Sequence, residues 1–188
     1  KMSPPVIYLP VESVDPVHAL LRAMQRLDRG AMPVELVGME PGQEVELSRE
    51  LVVTCFATKH TIPSLGFVVW ERRKKLKPEY QDLAGEQIRD LRLSGAEVSA
   101  EVRVPKVAYL GDTSPVGLDA HPAIYQAELL ILEMTFVGDL ERPEKIHKFG
   151  HTHLDDILAR ADRFENDWVI ASHFSTRLHP EQIHRIIE

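Results

Sequence analysis

Cysteine is nearly absent from this 188-residue sequence. Cys55 is the one copy, so an intrachain disulfide and a cysteine-rich zinc site are both excluded. No apolar run approaches the roughly 20 residues that a bilayer-spanning helix needs. No secretory leader is expected, and a reducing cytoplasm is the expected compartment. Basic excess is lacking as well: 22 Lys and Arg against 29 Asp and Glu give a net charge of −7. That argues against a nonspecific nucleic-acid coat. An enzyme acting on nucleic acid is not excluded, since it needs only a local basic patch or metal ions. An initiator Met is missing too. Lys1 stands first, which sets the expectation of a chain that begins inside a longer protein.

What is present suits a soluble domain with a sizeable core, at 44% hydrophobic and 27% charged residues. Val6–Leu9 reads as a buried strand stopped by Pro10. Asp15-Pro16 opens a helix carrying Val17, Leu20, Leu21, Met24 and Leu27 at helical spacing, and Gly30 closes it. Strands are expected at 34–39, 44–47, 51–56 and 65–70, with a Pro41-Gly42 turn between the first two. The basic run Arg72–Lys77 then breaks the pattern. A short helix at 88–93 follows, and further strands at 107–110, 129–132 and 168–171. Thr152-x-x-Asp155 reads as a capping box for a helix lined by Leu154, Ile157, Leu158, Ala161 and Phe164. Pro180 opens a last helix whose buried face is Ile183, Ile186 and Ile187. Strands alternating with helices indicate a layered α/β fold in one domain spanning 1–188, with 71–100 a candidate inserted arm.

Three strand ends present a metal-type ligand at once: His60, Asp112 and His173. Loops at strand ends collect reactive groups, and imidazole plus carboxylate suits zinc or a similar divalent ion. Nine histidines would also put some at strand ends by chance, so ordinary turns are the other reading. A second constellation joins Glu133 to Gly150-His151-Thr152-His153. A carboxylate at a buried strand end can hold an imidazole charged, as a general acid requires. The alternative is that Glu133 caps a helix and His151 merely precedes one.

Taken together, five ordered segments resemble ribonuclease Z, the tRNA 3′-processing endonuclease of the metallo-β-lactamase superfamily. They are Lys59–Phe67, Gly111-Asp112-Thr113, Glu133-Met134-Thr135-Phe136, Gly150–His153 and His173-Phe174-Ser175-Thr176-Arg177. Tyr80–Ser99 resembles the short, plant-type branch. The resemblance implies an αββα sandwich, two divalent ions (zinc expected), precursor tRNA as substrate, no membrane partner, and a homodimer. It implies His60, Asp112 and His173 as metal ligands, with the Asp112 carboxylate bridging two ions. It implies a Glu133–His151 pair in which His151 contacts the scissile phosphate and donates a proton. Ser175 and Arg177 would hold phosphate, a task suited to the Arg fork. Met134 replaces the usual Ala and Leu178 the usual Tyr; neither removes a reacting group. Arg72–Lys77 is either a tRNA-gripping patch or a solvated loop.

The family's His-x-His-x-Asp-His motif has no counterpart in the chain. Three ligands are too few for two closed zinc sites. The expectation is therefore a chain that covers mainly the C-terminal half, with an upstream segment or partner chain completing the site. Two other readings stand beside the endonuclease. One is another metallo-β-lactamase-fold hydrolase of esters or phosphodiesters; the other is a non-catalytic half-domain that binds a partner.

Overall fold

The computed structural model describes residues 3–28, 30–138 and 143–188; Lys1 lies outside them. Among the described residues eight strands and six helices follow the alternation that the hydrophobic pattern dictates. β1 (Val6–Pro10), α1 (Val14–Asp28) and β2 (Glu35–Met39) come first, then β3 (Glu44–Glu46), β4 (Leu51–Ala57) and β5 (Leu65–Leu76). After α2 (Gly85–Leu93) come β6 (Ser99–Tyr109), α3 (Ala123–Gln126) and β7 (Leu129–Glu133). α4 (Pro143–Lys148), α5 (Leu154–Leu158), β8 (Trp168–Ser172) and α6 (Pro180–Ile187) complete the order.

β1 and β2 form a two-stranded parallel sheet, and the other six strands form one mixed sheet in the order β3-β4-β5-β6-β7-β8. Alternation of side chains along each strand divides the core between two faces. Phe56, Val68, Ala108, Leu130 and Leu132 face the layer of α3, α5 and α6, packing with Ile124, Leu154 and Ile183. Their neighbours Cys55, Leu65 and Phe67 face the small sheet, meeting Met39 and Tyr8. On the outer side of the small sheet α1 packs on β2, where Gly38 admits the side chains of Val11 and Val14. The order helix, sheet, sheet, helix is the layered α/β arrangement expected from the sequence. Among the described residues no helix is long and apolar enough to cross a membrane.

Three expectations change. The Arg72–Lys77 run is not a break in the sheet, because β5 continues through Leu76 and pairs with a β6 that starts at Ser99. Charge does not stop the strand because carboxylates match it: Arg72 pairs with Glu46 of β3 and Glu101 of β6, Arg73 with Glu71 of its own strand, and Arg103 of β6 with Glu44 of β3. The ladder shifts register where Pro105 faces Trp70, since proline has no N–H to donate. Secondly, α5 is capped by His153 rather than Thr152. His153 Nδ1 accepts from Asp155 N at 3.1 Å, and Asp156 accepts from His153 N at 2.9 Å. Thirdly, α6 buries Ile183 partly but leaves Ile186 41% and Ile187 47% exposed.

Asp119 ties the loop after β6 to the segment after α5. It accepts from Tyr125 Oη at 3.1 Å, from Arg160 Nη2 at 2.7 Å and from Arg163, whose guanidinium lies 4.1 Å over the Tyr125 ring. The Arg160 hydrogen bond, with help from Arg163 and Tyr125, lowers the Asp119 pKa to about 2, against the upward push of burial. Because the folded-state pKa lies below the unfolded one, this stabilisation is complete above the ordinary Asp pKa and is lost as pH falls towards about 2. Asp119→Asn should therefore lower the melting temperature by about 2–4 °C at pH 7. The gap to the unsubstituted protein should hold from pH 7 down to about pH 5 and narrow as melting is followed from there towards about pH 2. A gap independent of pH would show that charge on Asp119 is not what stabilises the loop.

Candidate metal centre and proton-donor pair

Strand direction brings the chemistry together. β6, β7 and β8 are parallel, and β4 runs the same way because two antiparallel pairings separate it from β6. The C-terminal ends of all four strands therefore lie on one edge of the sheet, where α/β folds place their sites. His60 follows β4, Asp112 follows β6, Glu133 ends β7 and His173 follows β8.

Asp112, His151 and His173 each offer a ligand atom, and these atoms lie within 4.8 Å of one another. Asp112 Oδ2 stands 3.4 Å from His173 Nε2. One carboxylate and two imidazoles form a donor set that fits zinc or a similar divalent ion. His60 is beside this group rather than in it: its ring meets the His151 ring edge-on at 5.1 Å, and the His173 ring stacks on that of His151 at 5.4 Å. His60 Nδ1 lies 3.2 Å from the Gly150 carbonyl. Gly150 has φ +76, and a Cβ there would come within 2.5 Å of His60 Cα. Only glycine allows this approach.

Behind the three ligand-type residues is Glu133, 3% exposed. Its Oε2 accepts from Thr135 N at 2.9 Å and Thr135 Oγ1 at 2.6 Å; its Oε1 accepts from Thr152 N at 2.8 Å and Thr113 N at 3.3 Å. Burial pushes the Glu133 carboxyl above the usual range, while the Thr135 hydroxyl, His151 and the backbone N–H groups of Thr135 and Thr113 pull it down. His151 Nδ1 is 3.4 Å from Glu133 Oε1 and 3.2 Å from Thr135 Oγ1, which also lies 2.8 Å from His173 Nδ1. His173 has φ 61, a left-handed conformation that costs a non-glycine residue about 1–3 kcal/mol.

Arg177 and His151 line a cavity of about 350 Å³ together with His60, Phe136, Lys145 and Phe149. Ser175 sits apart from that cavity, in the groove beside α6, with its Oγ accepting from Arg177 N at 3.3 Å. Sequence reasoning gave no role in the site to the three threonines around Glu133, nor to Lys145. The only signal for Thr135 is its place two residues after Glu133 at a strand end, where alternate residues share a face.

A family model described as the beta-lactamase superfamily domain matches residues 7–174. A tRNase Z of Arabidopsis thaliana is 35% identical over 97% of this chain and 66% of its own length. A chloroplastic tRNase Z of the same plant is 35% identical over 99% of this chain and 53% of its own. The chain thus spans between half and two thirds of the length of these relatives. Of solved structures, human tRNase Z, short form, superposes with a TM-score of 0.54 at 21% identity, covering 92% of this chain and 61% of that one. A metallo-β-lactamase fold protein of Bacillus subtilis gives 0.56 at 14% identity, covering 96% and 56%. The domain match over most of the chain, and a fold shared with these structures, place the protein in the β-lactamase superfamily, within its metallo-β-lactamase fold.

Proposed function

We propose that this protein is a metal-dependent endonuclease of the ribonuclease Z type, which cuts precursor tRNA at its 3′ end. The observation that carries the reading is the meeting of Asp112, His151 and His173 within 4.8 Å, with buried Glu133 behind them. Similarity to two plant tRNase Z proteins over nearly the whole chain supports the substrate.

In this reading Asp112, His173 and His60 would hold two divalent ions, zinc in our proposal, with His60 packed edge-on against His151. When bound, such ions lower the pKa of a water and offset charge on the phosphoryl oxygens. Arg177 binds phosphate oxygens in the cavity through its guanidinium fork, and Ser175 steadies the Arg177 backbone while facing the adjoining groove. His151 gives its proton to the leaving oxygen, and Glu133, 3.4 Å from its Nδ1, orients the ring for that transfer. Arg72 and Arg73 have little part in gripping RNA, because carboxylates of their own sheet already engage them.

We also propose that an upstream segment or another chain covers this domain and completes the ligand set, and that the assembled enzyme is a homodimer. An apolar crevice of about 390 Å³ between the two sheets, lined by Tyr8, Val45, Val53 and Phe67, supports the need for cover. So do Leu20 at 58%, Leu27 at 86% and Trp168 at 73% exposure.

Two outcomes check these readings. His151→Ala in the intact protein should slow precursor-tRNA cleavage by about 10²–10⁴-fold, with the metal content measured by mass spectrometry nearly unchanged. Metal lost along with activity would make His151 a ligand, and cleavage of simple phosphodiesters alone would favour another hydrolase of this fold. Residues 1–188 expressed alone should self-associate or show weak hydrogen-exchange protection at low concentration. A protected monomer that unfolds cooperatively would contradict the need for cover.

A further inference from the structure

Thr135 is 7% exposed and its hydroxyl touches three groups at once: Glu133 Oε2 at 2.6 Å, His173 Nδ1 at 2.8 Å and His151 Nδ1 at 3.2 Å. A hydroxyl has one proton to donate and two lone pairs to accept with. We propose that Thr135 is a positioning residue that fixes His151 and His173 in the same tautomer, with Nδ1 protonated and Nε2 left open.

Counting donors leads there. Glu133 takes three backbone N–H groups, from Thr135, Thr152 and Thr113. Such groups only donate, so they occupy acceptor lone pairs on both carboxylate oxygens. The shortest contact, 2.6 Å from Thr135 Oγ1, is the length of an O–H donated to a charged oxygen. With its proton committed to Glu133, the hydroxyl faces both imidazoles with lone pairs alone. Each Nδ1 must then bring its own hydrogen. Nε2 remains on each ring as the nitrogen able to bind a cation or exchange a proton, and His173 Nε2 is the atom that faces Asp112.

The same residue also locks the backbone that carries His173. Ser175 N–H donates to the Thr135 carbonyl at 2.8 Å, and Met134 N–H donates to the Ser172 carbonyl at 2.9 Å. His173, at φ 61, is thus held from both sides and by its ring. One threonine orients two histidines, one in the turn before α5 and one after β8, as partners one step removed from a metal commonly do.

The consequence for metal binding rests on the reading given under Proposed function, whereas the tautomer does not. Long-range proton–nitrogen correlation spectra of the imidazoles in the intact, metal-free protein at pH 8 should show Nδ1–H for both His151 and His173. Thr135→Ser, which keeps the hydroxyl, should give the same pattern. Thr135→Val should turn at least one ring towards Nε2–H and weaken zinc binding by about 10–100-fold. An Nε2–H signal for either ring in the unsubstituted protein overturns the proposal, and so do unchanged tautomers in Thr135→Val. Should that variant fail to fold, the unsubstituted and Thr135→Ser spectra decide alone. Zinc that binds none of these proteins would remove the metal reading and leave the tautomer result intact.

Discussion

A carboxylate taken out of water at the end of β7 is the constraint on which the rest of this site depends. Glu133 would be costly to bury alone, and the chain answers by aiming backbone N–H groups at it from three separate segments. Those segments are the turn after β6, the loop after β7 and the turn that precedes α5. Satisfying one buried charge therefore sets the relative positions of Thr113, Thr135 and Thr152. Asp112 and His151 are their sequence neighbours and move with them. The Thr152 hydroxyl donates to the Thr113 carbonyl at 2.8 Å, and the Lys59 N–H donates to Thr113 Oγ1 at 3.0 Å. The His60 loop is thereby fastened to the same knot.

Much of this was legible in the sequence, for a physical reason. Buried strands are apolar and short, so their ends stand out, and the polar residues just beyond them form a short roster. His60, Asp112, Glu133 and His173 could be read off in that way. What the pattern did not carry was direction. Only the pairing of the strands shows that four of these ends lie on one edge. The ring contacts add that His151 packs against both His60 and His173, with a ligand atom within 4.8 Å of those of Asp112 and His173.

The differences arise where a polar interaction outweighs local propensity. Arg72–Lys77 resembles a loop because it is charged, yet cross-strand carboxylates on β3 and β6 extend the sheet through it. Thr152 has the chemistry of an N-cap, but its N–H and hydroxyl are already engaged by Glu133 and Thr113, so His153 takes that place. Ile186 and Ile187 follow helical spacing and still face outwards, because the described chain offers α6 no further apolar surface there. Periodicity marks which face is apolar; it does not supply the surface that covers it.

The central claim is that this edge of the sheet is built to hold a divalent cation between Asp112 and His173. Anomalous diffraction at the zinc absorption edge, from crystals of the intact protein grown with zinc, tests it most directly. The account predicts a peak about 2.0–2.2 Å from an Asp112 carboxylate oxygen and from an imidazole nitrogen of His173. Zinc bound elsewhere, with no peak at Asp112 and His173, would contradict it.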